Sequence, residues 1–99
     1  MYVLQVDFPF NGPFGEQMSA AMQDLAADIA QETDLLWKIW TENEQQQEAG
    51  GIYLFNTQQG AQVYLEKHSQ RLQAAGVTNI RSRIFAVNRP LSLLDKAPI

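Results

Sequence analysis

The sequence predicts an α+β domain of order βαββαβ, with a four-stranded antiparallel sheet and two helices on one face. Three observations carry that prediction. Tyr2 to Phe8 alternates with a period of two, Tyr2, Leu4, Val6 and Phe8 against Val3, Gln5 and Asp7, which is the signature of a strand. Met18, Ala21, Met22, Leu25, Ala26 and Ile29 recur at helical spacing and form one apolar stripe. Two further short runs, Leu35 to Glu42 and Ala49 to Phe55, hold both tryptophans and two more aromatics.

The elements follow in order. The first strand ends at Pro9, and Asn11-Gly12-Pro13 is turn chemistry. Gly15 to Gln31 is the expected first helix, with Glu16 suited to the positive end of its dipole. Leu35 to Glu42 is the second strand. Asn43 to Glu48 contains no apolar residue and is expected to be a solvated hairpin loop. Ala49 to Asn56 is the third strand, and Gly50-Gly51 marks a bulge or a close backbone approach at its start. Asn56 or Thr57 caps the second helix, which runs to about Ala75 and stops at Gly76. Val77 to Asn88 is the fourth strand, broken by Arg89-Pro90. Residues 89–99 form a tail whose Leu91, Leu93, Leu94 and Ile99 call for a surface to lie on.

Two similar strand–helix–strand halves make the ferredoxin-like pattern, read as one domain over 1–99. The alternation puts Leu4, Val6, Phe8, Trp37, Ile39, Ile52, Leu54, Ile84 and Ala86 under the helices. It puts Gln5, Leu36, Lys38, Trp40, Tyr53, Phe55, Arg83 and Phe85 on the open face. Rings on both faces need a cover on both faces, and 99 residues supply helices for one. A second copy of the chain, meeting the first by a twofold contact, supplies the other. Lys38, Arg83, Gln5, Asp7 and Glu42 are then expected to form an ion-pair network at that contact.

Composition excludes several function classes. The net charge is −4 and the seven Lys and Arg residues are scattered, so nucleic acid and an anionic membrane surface are poor partners. No apolar run approaches the ~20 residues of a membrane span. The chain has no cysteine, which rules out thiol catalysis and thiolate metal sites. Its one histidine, His68, rules out a multi-histidine metal centre within the chain. There is no serine nucleophile elbow, Walker loop or dinucleotide fingerprint. With no secretory leader pattern at Met1 to Gln5, a soluble cytoplasmic protein is expected.

The remaining candidates are few. His68 lies on the apolar face of the second helix. It is either a general base or substrate hydrogen-bond partner, or a half-buried histidine bonded to a carbonyl or a helix neighbour. Trp37 either packs or lines a cavity between sheet and helices, and Trp40 reads as an interface anchor. The loop Asn11 to Gly15 either presents Asn11 and backbone donors to an oxyanion or is a tight turn plugged by Phe14. Tyr53 and Phe55 mimic the stacking rings of an RNA-recognition sheet, but the acidic chain and the flanking Glu48 and Asn56 exclude that reading.

Four blocks carry a resemblance: Phe10 to Gly15, Leu36 to Glu42, Glu48 to Phe55, and Tyr64 to His68 followed by Arg71-Leu72. In this order, over nearly the whole chain, they resemble the YdhR family of monooxygenases. The resemblance implies a dimeric α/β barrel of the antibiotic-biosynthesis-monooxygenase type: a cytoplasmic homodimer that uses neither metal nor flavin. It implies a small electron-rich aromatic substrate, a phenol or quinol, that is deprotonated and held near oxygen away from water. His68 is the expected base, and Asn11, Trp37 and Tyr53 the expected hydrogen-bond donors, although the alternation sets Tyr53 on the other face. Phe14, Trp37, Tyr64 and His68 are the expected substrate contacts. Two alternatives stand beside it: a haem-binding or haem-degrading protein of the same superfamily, and a non-catalytic small-molecule binder or stress protein.

Overall fold

A computed structural model describes residues 1–99. Its strands are β1 (Tyr2–Pro9), β2 (Leu35–Asn43), β3 (Glu48–Phe55) and β4 (Arg81–Ala86). Its helices are α1 (Gly15–Ala21), α2 (Gln23–Ile29), α3 (Gln58–Ala74) and α4 (Arg89–Leu94). The sheet order is β2-β3-β1-β4 with every pairing antiparallel. This is the ferredoxin-like arrangement the sequence predicts. α3 packs over β1, β3 and β4, and α1 and α2 lie over the same face.

Local chemistry accounts for most boundaries. Thr57 caps α3 by accepting a hydrogen bond from the Gly60 N–H, and Asp34 Oδ2 fixes that cap by accepting from the Thr57 N–H at 3.1 Å and hydroxyl at 2.6 Å. Gly76 follows α3 with φ of +92°, a left-handed conformation that glycine adopts without a Cβ penalty. The first helix is bent: α1 and α2 meet at Met22, whose dihedrals leave the helical region. Hydrogen bonds from Met22 N–H to Met18 O and from Ala26 N–H to Met22 O continue through the bend. β4 is shorter than its sequence pattern. β1 is its only partner, their ladder ends at the Asp7–Arg81 pair, and Asn79 just beyond turns to φ +54°.

The faces of β2 and β3 are opposite to those expected. Leu35 pairs with Phe55, but Trp37, not Leu36, comes opposite Leu54. A β-bulge at Leu36 therefore sets two residues of β2 against one step of β3 and reverses every side chain after it. Lys38 and Trp40 point under the helices with Tyr53. Trp37 and Ile39 join Leu54 and Ile52 on the open face. In β3 the error has another cause. Tyr53, Leu54 and Phe55 are all 1% exposed, so a central strand buried on both sides offers no polar alternation to read.

Gly50 shows the predicted close approach: a Cβ there would stand 1.9 Å from Val6 O. The tail also finds a surface. Asn88 caps α4 by accepting from the Leu91 N–H, and Pro98 O accepts a 3.0 Å hydrogen bond from Trp37 Nε1 on the open face. The expected ion-pair network of Lys38, Arg83, Gln5, Asp7 and Glu42 does not form within the chain, because Lys38 turns under the helices and Arg83 lies over the Phe85 ring. Arg81 bridges Asp7 and Glu48 at the solvent-exposed end of the sheet, and Glu42 Oε1 instead accepts from the Gly15 N–H at 2.9 Å.

Candidate active site

The bent α1–α2 segment stands away from the sheet and leaves a cavity of about 310 Å³, a size typical of small-molecule sites. Phe8, Phe10, Met18, Met22, Leu25 and Leu72 supply apolar wall, and Trp40 and Tyr53 form its aromatic floor on the sheet. The ionisable groups that reach it are Lys38, Tyr53, His68 and Arg71, and no carboxylate lines it. Trp40 is also the wall between this cavity and an open groove beside α1 and α2, lined by Met18, Ser19 and Met22.

Lys38 is placed by the β2 bulge and by Gly51. Its stem lies over Gly51, where a Cβ would come within 2.8 Å of Lys38 Cε. Its Nζ sits 3.5 Å from the Trp40 ring centroid and 4.8 Å from that of Tyr53. Burial, reinforced by the nearby Arg71 charge, brings the Lys38 ammonium down to about 7, because desolvation penalises the charged form.

His68 is 3% exposed. Its ring stacks on Tyr64 at 5.2 Å and meets Tyr53 edge-on at 6.1 Å. Arg71, one turn further along α3, donates to His68 Nδ1 from Nη2 at 2.8 Å and in turn binds Asp28 Oδ2 of α2 at 2.8 Å. Burial foremost, then the Lys38 and Arg71 charges, hold the imidazole down at about 3. His68 is therefore neutral at physiological pH, with Nδ1 acting as acceptor. Of the two readings of His68, the bond to a helix neighbour is present, in Arg71, with the ring fully rather than half buried and bordering the cavity. Burial also pushes the Tyr53 phenol up, so that phenol stays protonated.

The other expected site residues lie elsewhere. Trp37 is on the far face of the sheet, tied to Pro98. Asn11 is exposed and does not line the cavity. Phe14 supports the wall from behind through an edge-on contact with Phe10 at 5.7 Å. Tyr64, on α3, packs against Tyr53 at 5.0 Å and does not line the cavity, and its buried hydroxyl lacks a hydrogen-bond partner. Sequence reasoning overlooked Lys38 and Arg71. The i, i+3 spacing of His68 and Arg71 on one helix was the available signal for Arg71. Nothing local announced the bulge that brings Lys38 inward. Nowhere do three His, Asp or Glu side chains converge on a point, and no helix is long and apolar enough to cross a membrane.

No curated protein matches the chain. Among solved structures, one titled as a putative antibiotic biosynthesis monooxygenase from Deinococcus radiodurans superposes with a TM-score of 0.61. The match covers 90% of this chain and 94% of that one at 14% sequence identity, so the likeness is one of fold. A family model described as "Putative mono-oxygenase ydhR" matches residues 3–98. A match of that extent makes the chain a member of the ydhR family.

Proposed function

We propose that the protein is a cofactor-independent monooxygenase acting on a small aromatic compound of the phenol or quinol type, and that it works as a homodimer. The observation that carries the reading is the cavity itself: apolar and aromatic walls, with ionisable groups gathered where Lys38, His68 and Arg71 meet. A phenol fits that division, with its ring against Trp40 and Met22 and its hydroxyl toward the polar end. The substrate is its own reductant. One oxygen atom of dioxygen joins a ring carbon, that carbon's hydrogen and the hydroxyl hydrogen leave, and the second oxygen departs with them as water while the phenol becomes a quinone. The protein's part is to bind the ring, stabilise the oxyanion and exclude solvent. His68, held neutral and oriented by Arg71, serves as a fixed hydrogen-bonding wall of that site.

The open face supports the dimer. Ile39 and Phe85 are 50% and 42% exposed there, and Leu91, Leu93 and Leu94 of the adjoining tail are exposed as well. Apolar side chains left exposed on and beside that face favour an interaction site, and a second copy covers them by symmetry.

The reaction is tested by oxygen uptake with a panel of naphthols and anthrones, without flavin and with a metal chelator present. Protein-dependent uptake, with one labelled atom from heavy-oxygen gas in the quinone product, is expected. Binding of these compounds with no uptake above the protein-free rate would reduce the protein to a binder.

A further inference from the structure

We propose that Lys38 is the proton acceptor and counter-ion of the cavity, and that the ligand it takes is a small aromatic molecule with one ionisable hydroxyl. The inference deepens the proposed function and rests on it for the fate of the bound anion. The ionisation step itself is read without turnover.

Four observations converge on Lys38. It lines an apolar cavity whose wall contains no carboxylate. The salt bridges of the molecule use Lys67, Arg71 and Arg81 but not Lys38. Its Nζ lies over the π surfaces of Trp40 and Tyr53, which favour a cation once one forms. Gly51 leaves the space that lets its stem lie there.

Every other ionisable group around Lys38 is already committed. Tyr53 on β3 is kept protonated by burial. His68 on α3 is kept neutral, with its Nδ1 occupied by Arg71. The Arg71 charge is balanced by Asp28 of α2. The β1 and α1 side chains lining the cavity, Phe8 and Met18, are apolar. Lys38 is left as the group that changes charge near neutral pH, the range in which a general base is most effective.

The step balances without another reactant. The ligand O–H bond breaks, its proton forms an N–H bond on the neutral Lys38 amine, and the electron pair stays on the ligand oxygen. A neutral pair thereby becomes a phenolate–ammonium pair, and the cavity keeps its overall charge. A carboxylic acid or a neutral ether of the same shape lacks this exchange at neutral pH, since one is already ionised and the other cannot ionise.

4-Nitrophenol is the probe, because its phenolate is yellow and its phenol is not. The titration is run near pH 7, where part of Lys38 is neutral, and the band is read as phenolate formed on binding beyond that of the free probe at the same pH. The full-length protein is expected to generate the phenolate band on binding, and 4-nitroanisole, the neutral methyl ether, to displace it. Lys38→Met and Lys38→Gln are each expected to lose the band. A wild-type titration without the band, whether or not 4-nitroanisole binds, would overturn the proposal, as would a band of undiminished strength in both variants. A Lys38-dependent band with no oxygen uptake would leave this inference standing and sink the monooxygenase reading. Oxygen uptake with no band would do the reverse.

Discussion

Lys38 lies across Gly51, and the two residues specify one another. The position a Cβ would occupy on Gly51 is 2.8 Å from Lys38 Cε and 3.1 Å from the Tyr53 ring. A glycine inside a central strand weakens the strand, yet here it makes the volume in which a lysine stem reaches Trp40. Gly51→Ala is therefore expected to push Lys38 out of the cavity. The overpacking costs about 1–3 kcal/mol of stability, measured by urea denaturation, and the same variant loses the 4-nitrophenol phenolate band.

His68 gives a pH dependence of defined sign. Its pKa is near 6.5 when unfolded and about 3 when folded, so between those values the unfolded chain binds a proton that the folded chain does not. Stability is complete above about 6.5 and falls as pH drops toward 3, by up to about 1.4 kcal/mol per unit. Lys38, lowered from 10.5 to about 7, adds a slope of the same sign across the alkaline range. Urea melts between pH 7 and pH 4 test the His68 part, and His68→Gln is expected to flatten the curve. Equal flattening by Lys38→Met would assign the effect to the wrong group.

The two tryptophans offer an internal comparison. Trp40 borders the cavity, and Trp37 is bonded to Pro98 on the other side of the sheet. A ligand in the cavity is expected to quench Trp40 emission and leave Trp37 largely unchanged. Trp40→Phe should abolish the ligand-dependent quench, and Trp37→Phe should keep it.

Asp34 is a structural control. It accepts two hydrogen bonds from Thr57 at the start of α3, and its carboxylate fills the space that the absent Cβ of Gly60 leaves. Asp34→Ala is expected to cost about 0.5–2 kcal/mol, the range for loss of a helix cap, with the probe still ionised on binding. Loss of the band at full folding would show that the cavity depends on more than its own lining.

Element order was legible because it rests on local signals: the alternation of β1, the stripe of α1–α2, the Thr57 cap and the Gly76 stop. The sheet faces were legible only in β1 and β4, whose alternation is unambiguous. In β2 a single inserted residue, Leu36, moved Trp37 out and Lys38 in. That insertion is set by pairing with β3 and not by propensity within β2. In β3 the apolar run Ile52 to Phe55 reads the same from both sides. His68 was found because a lone histidine on an apolar helix face stands out. Lys38 was missed because its place in the cavity depends on the bulge, which is a tertiary event. On the open face Trp37 and Ile39 stand where Lys38 and Trp40 were expected, and Phe85 lies there as expected, so apolar side chains still project from both faces. Ile39→Glu together with Phe85→Glu is expected to convert a two-chain particle into a single-chain one by light scattering.

A structure of the protein soaked with 4-nitrophenol tests the central claim most directly. The account predicts the ring in the cavity between Trp40 and Met22, with its oxygen at hydrogen-bond distance, about 2.7–3.2 Å, from Lys38 Nζ. Density for the probe against Trp37 on the open face, or in the cavity with its oxygen turned away from Lys38, would contradict it.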